Sequence, residues 1–195
     1  MEQSDLLQAV HGRNSDAPIP VIAAQDPADC FDCAFEAARV AMKYMTPVIL
    51  LTDGYLGQGS GPWKIPDPKK LPKIEVSHPD SSAIGEDGFM PYARDENETR
   101  PWAIPGTPGL EHRIGGLEKE NLTGMVSQDP ENHQVMTDIR ARKVENITQD
   151  IPPSEIHGDT KGKVLVLGWG STHGAIHVAV ERARAKGQSV SQLHL

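Results

Sequence analysis

Between Pro20 and Leu56 an apolar run, a helical period and a second apolar run follow one another without interruption. Val21 to Ala24 is the first run. Asp26-Pro27 then marks a helix start, a carboxylate able to accept orphan backbone N–H groups ahead of a proline pre-set for the first turn. From Ala28 to Met45 there is neither Gly nor Pro. Cys30, Ala34, Ala37, Ala38, Ala41 and Met45 recur at helical spacing, with Asp32, Glu36, Arg39 and Lys43 on the opposite side. Thr46-Pro47 stops the helix, because the residue before proline is pushed out of the α region. Val48 to Leu51 is a run of large aliphatics, the pattern of a strand buried on both faces of a parallel sheet. Two strands joined through a helix predict a right-handed βαβ unit.

The last 35 or so residues repeat that plan, by the same reading of periodicity. Lys163 to Leu167 reads as a strand, Gly168 to Gly174 as a glycine-rich turn and Ala175 to Lys186 as a helix that Gly187 stops. Ser189 to Leu195 alternates as a further strand through Val190, Leu193 and Leu195. Ahead of the first unit, Glu2 to Val10 reads as a short helical end and Arg13 to Pro20 as a polar loop. Between the units the glycines and prolines lie too close together for helix or central strand, and the irregular stretch runs to about His157. Its best helical candidate is Glu131 to Val144, extendable to Ile147, with Val135, Ile139 and Arg142 spaced for one face. The expected fold class is α/β, with parallel βαβ units at both ends joined by a long irregular connector. The boundaries fall at 1–58, 59–160 and 161–195. Each end supplies only about two strands, so the chain reads as an interior segment of a longer polypeptide, or as a small subunit that completes its sheets with another chain.

Composition narrows the partners. Only 37% of the 195 residues are apolar, and 18 Gly and 16 Pro accompany them. Net charge is −8, the sequence pI is near 5.4, and the 19 Lys and Arg are scattered along the chain, which argues against nucleic acid or an anionic membrane as a partner. No apolar run approaches the ~20 residues of a membrane span. The acidic start, MEQSDLLQAV, lacks the basic region of a secretory signal, and two cysteines fit a reducing cytoplasm.

Several constellations could carry chemistry. Cys30 and Cys33 form a CxxC near a helix N-terminus, where the dipole lowers a thiol pKa, so a small thiol–disulfide or adaptor protein is one reading; two small packing residues is the other. Gly168-x-Gly-x-x-x-Gly174 follows a strand and opens a helix, but its spacing departs from the dinucleotide pattern and a ligand-free corner is favoured. His173 and His177 are a legal metal pair without a third ligand suggested nearby, better read as surface histidines. Asp53-Gly54 is read as a turn whose side chain caps backbone groups rather than as half of a magnesium site. Around His112 and Arg113, two glycines and Glu118 give either an anion-holding loop or a corner stapled by Arg113 to Glu118.

Six segments in order carry a resemblance: Glu2 to Leu6, Pro27 to Asp32, Met45 to Leu56, Arg100 to Ala103 with Pro105 to Leu110, His112 to Glu118, and Leu167 to Gly174. Together they resemble the α subunit of thiamine-diphosphate-dependent 2-oxoacid:acceptor oxidoreductases, in particular those acting on 2-oxoglutarate. The resemblance implies the later part of a pyrimidine-type domain, an interdomain connector and the start of a transketolase C-terminal-like domain. It implies oxidative decarboxylation of a 2-oxoacid to an acyl-CoA, with coenzyme A as acceptor of the acyl group and electrons passing to ferredoxin, the cofactor carrying the chemistry. Thiamine diphosphate and magnesium are expected mainly on a β subunit, and the iron–sulfur cluster outside this chain. The family's Tyr-Pro-Ile-Thr-Pro stretch and activating glutamate region are absent from these residues, position 173 is histidine where tyrosine is common, and Cys33 stands where threonine is common. No catalytic residue is therefore carried over, and His11, Arg13 and Asn14 are the substrate-pocket candidates. A scaffold and subunit-contact role, inactive alone, is the expectation.

Overall fold

The computed structural model describes residues 5–14 and 16–195. Helix α1 (Asp5–His11) precedes strand β1 (Val21–Ala23), helix α2 (Asp29–Tyr44) and strand β2 (Ile49–Leu51). β1 and β2 pair in parallel, Val21 opposite Ile49 and Ala23 opposite Leu51, so the expected βαβ unit is present. The carboxylate of Asp26 accepts from the backbone N–H groups of Ala28 (2.8 Å) and Asp29 (3.0 Å), capping as expected just ahead of the regular helix. At its other end Met45 turns left-handed (φ 43°) and the chain leaves at Thr46-Pro47.

Burial within the unit differs from the periodicity. Ala34 and Ala38 are exposed, whereas Val40 and Tyr44 are sealed. β1 and β2 are half-buried rather than buried on both faces, because a two-stranded sheet has only α2 and short α1 to cover it.

Directly after β2, helix α3 (Gly54–Gln58) forms where the glycine-rich sequence suggested none. The connector stays irregular until helix α4 (Pro130–Asn146), which Asp129 caps by accepting from Glu131 N–H at 3.2 Å. The face turned inward carries Asn132, Met136 and Ile139, while Val135 is 42% exposed; the expected Val135–Ile139–Arg142 stripe is thus rotated. Asn132 explains the rotation, since its amide donates to the Lys119 carbonyl (2.9 Å) and its Oδ1 accepts from Asn121 N–H (2.9 Å), fastening α4 to the connector by polar groups that a hydrophobic count ignores.

A short 3-10 turn, Ile147–Asp150, follows α4 and folds back onto α2. Ile147 packs with Val40 and Tyr44, and Val48 lies against them. Asp150 reaches Arg39 (2.6 Å) and Lys43 (2.9 Å), and the Trp102 indole donates to the Met42 carbonyl (2.9 Å). The connector is therefore strapped back onto the first unit.

Strands β3 (Ile156–His157), β4 (Val164–Gly168) and β5 (Val190–His194) make a second sheet in the order β3-β5-β4, with helix α5 (His173–Ala185) between β4 and β5. β4 and β5 are parallel as expected; β3 is antiparallel to β5 and falls in residues expected to be connector. Gly187, at φ 79°, ends α5 with its N–H on the Arg184 carbonyl. Among the described residues no helix is long and apolar enough to cross a membrane.

The seam between α2 and the 147–150 turn should dominate local stability. Ile147→Ala should cost about 2–5 kcal/mol, read from the unfolding midpoint, against about 0.5 kcal/mol or less for the exposed Val178→Ala. The Arg39 and Lys43 bonds hold the Asp150 carboxyl below its ordinary range, so its contribution is complete above that range and is lost as pH falls through the folded-state value. Asp150→Asn should lower stability at pH 7 by on the order of 1 kcal/mol, and the gap to wild type should close as the pH drops below about 4.

Candidate functional site

The carboxyl ends of β1 and β2 converge on the start of the second unit. Asp53, the residue that caps α3 by accepting from Leu56 N–H at 3.0 Å, also accepts from the Ser171 hydroxyl in the glycine turn. Those two bonds hold its carboxyl below the ordinary range. Asp53 is thus a capping residue, as the sequence suggested, and in addition a tie between the two ends of the chain. Asp5, Ala24, Leu51, Thr52, Trp169 and Gly170 surround it at a crevice of about 70 Å³. The glycine turn is shaped by this junction and by α5: Gly170 takes φ 58°, and a Cβ on Gly168 would lie 2.3 Å from the Ile176 side chain.

Just before β1, the three pocket candidates sit at the end of α1. The Arg13 guanidinium donates to the carbonyls of Ala9 and Ala17, so it clasps its own loop. His11 and Arg13 line a cavity of about 260 Å³ with Val10, Asp16, Ala17 and Pro18; exposed Asn14 is outside that lining. The preceding motif residues Glu2 to Ser4 lie outside the described residues.

Cys30 and Cys33 are unpaired and half-buried. Burial, then the hydrogen bond to Asp29 (3.3 Å), pushes the Cys33 thiol up to about 12, and burial with Asp29 and Asp26 raises Cys30. Both shifts oppose the thiolate that disulfide exchange requires, because burial disfavours the charged sulfur and the neighbouring acids add to it. Of the two readings of the His112–Arg113 loop, the Arg113–Glu118 staple is absent among the described residues. Glu118 instead meets His133 at 2.5 Å and Arg140 at 3.7 Å, while His112 bonds the Leu110 carbonyl at 2.8 Å.

The histidine pair has company that the sequence reading missed. His157 from β3 lies tilted against His177 (ring centroids 4.5 Å), and His194 from β5 meets His173 edge-on (4.8 Å). Glu181, one turn beyond His177, accepts the His157 contact at 2.8 Å. Only the β-pairing brings residues this far apart in sequence together. Among the described residues, no three His, Cys, Asp or Glu side chains are placed to hold a metal ion.

That bears on thiamine diphosphate. The crevice at the strand ends is far below the ~300–1,000 Å³ of an ordinary small-molecule pocket, and among the described residues no cluster of three His, Cys, Asp or Glu is placed for the cation of a diphosphate. These residues do not by themselves fit a complete cofactor site.

The α/β unit at the start of the chain is that of a thiamine diphosphate-binding family. Residues 1–129 match the family described as pyruvate flavodoxin/ferredoxin oxidoreductase, thiamine diphosphate-binding, and the chain belongs to that family. It is 48% identical over its whole length to the 2-oxoglutarate oxidoreductase subunit KorA of Mycobacterium tuberculosis, covering 29% of that protein. Similarity to 2-oxoacid:ferredoxin oxidoreductase 2, subunit alpha, of Aeropyrum pernix is 32% over 95% of this chain and 29% of the relative. A solved structure of 2-oxoglutarate:ferredoxin oxidoreductase from Magnetococcus marinus, with 2-oxoglutarate, coenzyme A and succinyl-CoA bound, superposes with a TM-score of 0.87 at 31% identity, over 100% of this chain and 33% of that one. The chain thus spans about three tenths of the length of these relatives and corresponds to a partial segment of the subunit.

The thiol assignment gives a direct check. Carboxymethylation of Cys33 at pH 8 should be slower in the folded protein than in urea by about tenfold or more, and should accelerate as pH rises toward about 12, since each pH unit below the pKa costs tenfold in thiolate.

Proposed function

We propose that this chain is a segment of the α subunit of a 2-oxoacid:ferredoxin oxidoreductase, with 2-oxoglutarate as the 2-oxoacid. The assembled enzyme would decarboxylate the substrate oxidatively, pass the acyl group to coenzyme A and the electrons to ferredoxin. The observation that carries the reading is the superposition of the whole chain, at 0.87, on the enzyme solved with 2-oxoglutarate and succinyl-CoA. The near-half identity to a 2-oxoglutarate oxidoreductase subunit supports the choice of substrate.

In this reading, residues 1–58 are the later part of the pyrimidine-type domain, 59–160 the connector and 161–195 the start of the transketolase C-terminal-like domain. The half-buried strands and the exposed Val164, Leu165 and Leu167 of β4 support a scaffold role in which further polypeptide covers both sheets. A β subunit would hold the thiamine diphosphate and its magnesium, the iron–sulfur cluster would lie outside this segment, and the complex would work in the cytoplasm. His11, Arg13 and Asn14 would border the substrate, with Arg13, held in place by the carbonyls of Ala9 and Ala17, lending its permanent charge to a substrate carboxylate.

Co-expression of the subunit containing this segment with its β partner should give 2-oxoglutarate-dependent, coenzyme A-dependent reduction of ferredoxin or a viologen dye, and residues 1–195 alone should give none. Turnover by the segment alone, or a complex inert toward 2-oxoacids, would sink the proposal. In the assembled enzyme, Arg13→Leu should raise KM for 2-oxoglutarate about tenfold or more, the scale of one charged hydrogen bond, with Arg13→Lys between the two.

A further inference from the structure

A cavity of about 450 Å³ opens between the connector and α4. Five cations face it, Arg94, Arg100, Lys119, Arg140 and Lys143, against three carboxylates, Asp16, Glu98 and Glu118. In a chain of net charge −8, this is a local excess of two positive charges.

The carboxylates are already engaged. Asp16 bonds Arg140 at 2.7 Å, Glu98 is held at 2.9 Å by Arg142, and Glu118 meets His133 and Arg140. The other four cations rest on neutral groups. Arg94 donates to the Tyr92 carbonyl (2.9 Å) and the Asn121 side-chain oxygen (2.5 Å). Lys119, only 3% exposed, donates to the carbonyls of Gly115 (3.1 Å) and Leu117 (2.5 Å), and Lys143 to that of Met45 (3.1 Å). Arg100 lies over the Tyr92 ring at 5.0 Å, where Arg94 also lies at 5.5 Å. Among the described residues none of these four is salt-bridged. A buried cation with carbonyl partners and no counter-charge is stabilised by an anion brought to it. Lys143 registers the imbalance: burial, then Arg94, Arg100 and Arg140, press its ammonium down to about 8.

We propose that this cavity binds a small multivalent anion of the phosphate class, gripped by Arg94, Arg100 and Lys143 with Lys119 charging the wall behind it. Two arginine forks favour a tetrahedral oxyanion over a single point charge, and a phosphate group of about −1.5 to −2 matches the local excess. The volume lies in the range of small-ligand pockets, whereas an acidic protein partner needs a broad face of roughly 800 Å². The cavity adjoins the His11–Arg13 crevice through Asp16, which lines both, so occupancy would be felt at the end of α1.

The test measures binding without turnover, and so stands apart from the proposed reaction. Inorganic pyrophosphate, orthophosphate and a simple phosphate monoester are titrated calorimetrically at low salt into the whole subunit in its purified assembly. Variants are Arg100→Gln, Lys143→Gln, Arg100→Lys as a charge-keeping substitute should the neutral variant misfold, and Arg182→Gln on α5 as control. The expected result is saturable binding, weakened about tenfold or more by Arg100→Gln and Lys143→Gln, largely kept by Arg100→Lys, untouched by Arg182→Gln and falling with ionic strength. Tighter binding of the monoester than of the inorganic ions would assign the site to an organic phosphate; the reverse order would assign it to the free ion. Absence of saturable binding overturns the proposal, as does equal affinity in every variant. Loss of a co-purifying subunit from the variants, with no phosphate bound by wild type, would overturn it in favour of a protein contact.

Discussion

Parallel strands are covered only when helices lie on both faces of their sheet, and neither sheet in this chain is wide enough to gather that cover by itself. β1 and β2 remain half-buried beneath α2, the alanine side of α2 remains open, and β4 presents Val164, Leu165 and Leu167 to the outside. Among the described residues, the one sealed cluster is the seam of Val40, Tyr44 and Ile147, which belongs to the connector as much as to the first unit. The connector therefore acts as the outer cover of α2, fixed by the Asp150 bridge and the Trp102 indole. An α/β segment with one closed seam and two open sheets is what a piece corresponding to three tenths of its relatives' length should present.

Elements governed by neighbours in sequence were legible. The span of α2, its stop at Thr46-Pro47, the Gly187 stop and both parallel pairings follow from spacing and breakers alone. What failed depended on partners far along the chain. The short β3 has too few residues for a pattern and exists because Ile156 and His157 find Leu193 and Gln192. The inward face of α4 was set by Asn132 and its two backbone partners rather than by Val135. Helix α3 is the local exception, formed despite two glycines because the adjacent Asp53 caps it.

The same distinction governs the sites. Lysines and arginines scattered along a sequence do not stay scattered in space: those at 94, 100, 119, 140 and 143 come from the connector and from α4 and still share one cavity. Local spacing could flag His173 with His177, but the additions of His157 and His194 required the sheet. Conversely, the CxxC was conspicuous in sequence, and its chemistry is suppressed first by burial of the thiols and then by the acids beside them, Asp29 at both and the capping Asp26 at Cys30.

That last conflict says what kind of contribution the chain is built to make. A helix start can lower a thiol pKa only if its positive end faces the sulfur without competition, and here carboxylates occupy that end as structural caps. At the strand ends, the Asp53 carboxylate is spent on Leu56 and Ser171 and so joins the first unit to the second. In both places ionisable groups adjoining a candidate site are committed to holding backbone in position. In the proposed assembly, where a cofactor would carry the chemistry, the protein's share is rigid orientation by side chains committed to holding backbone.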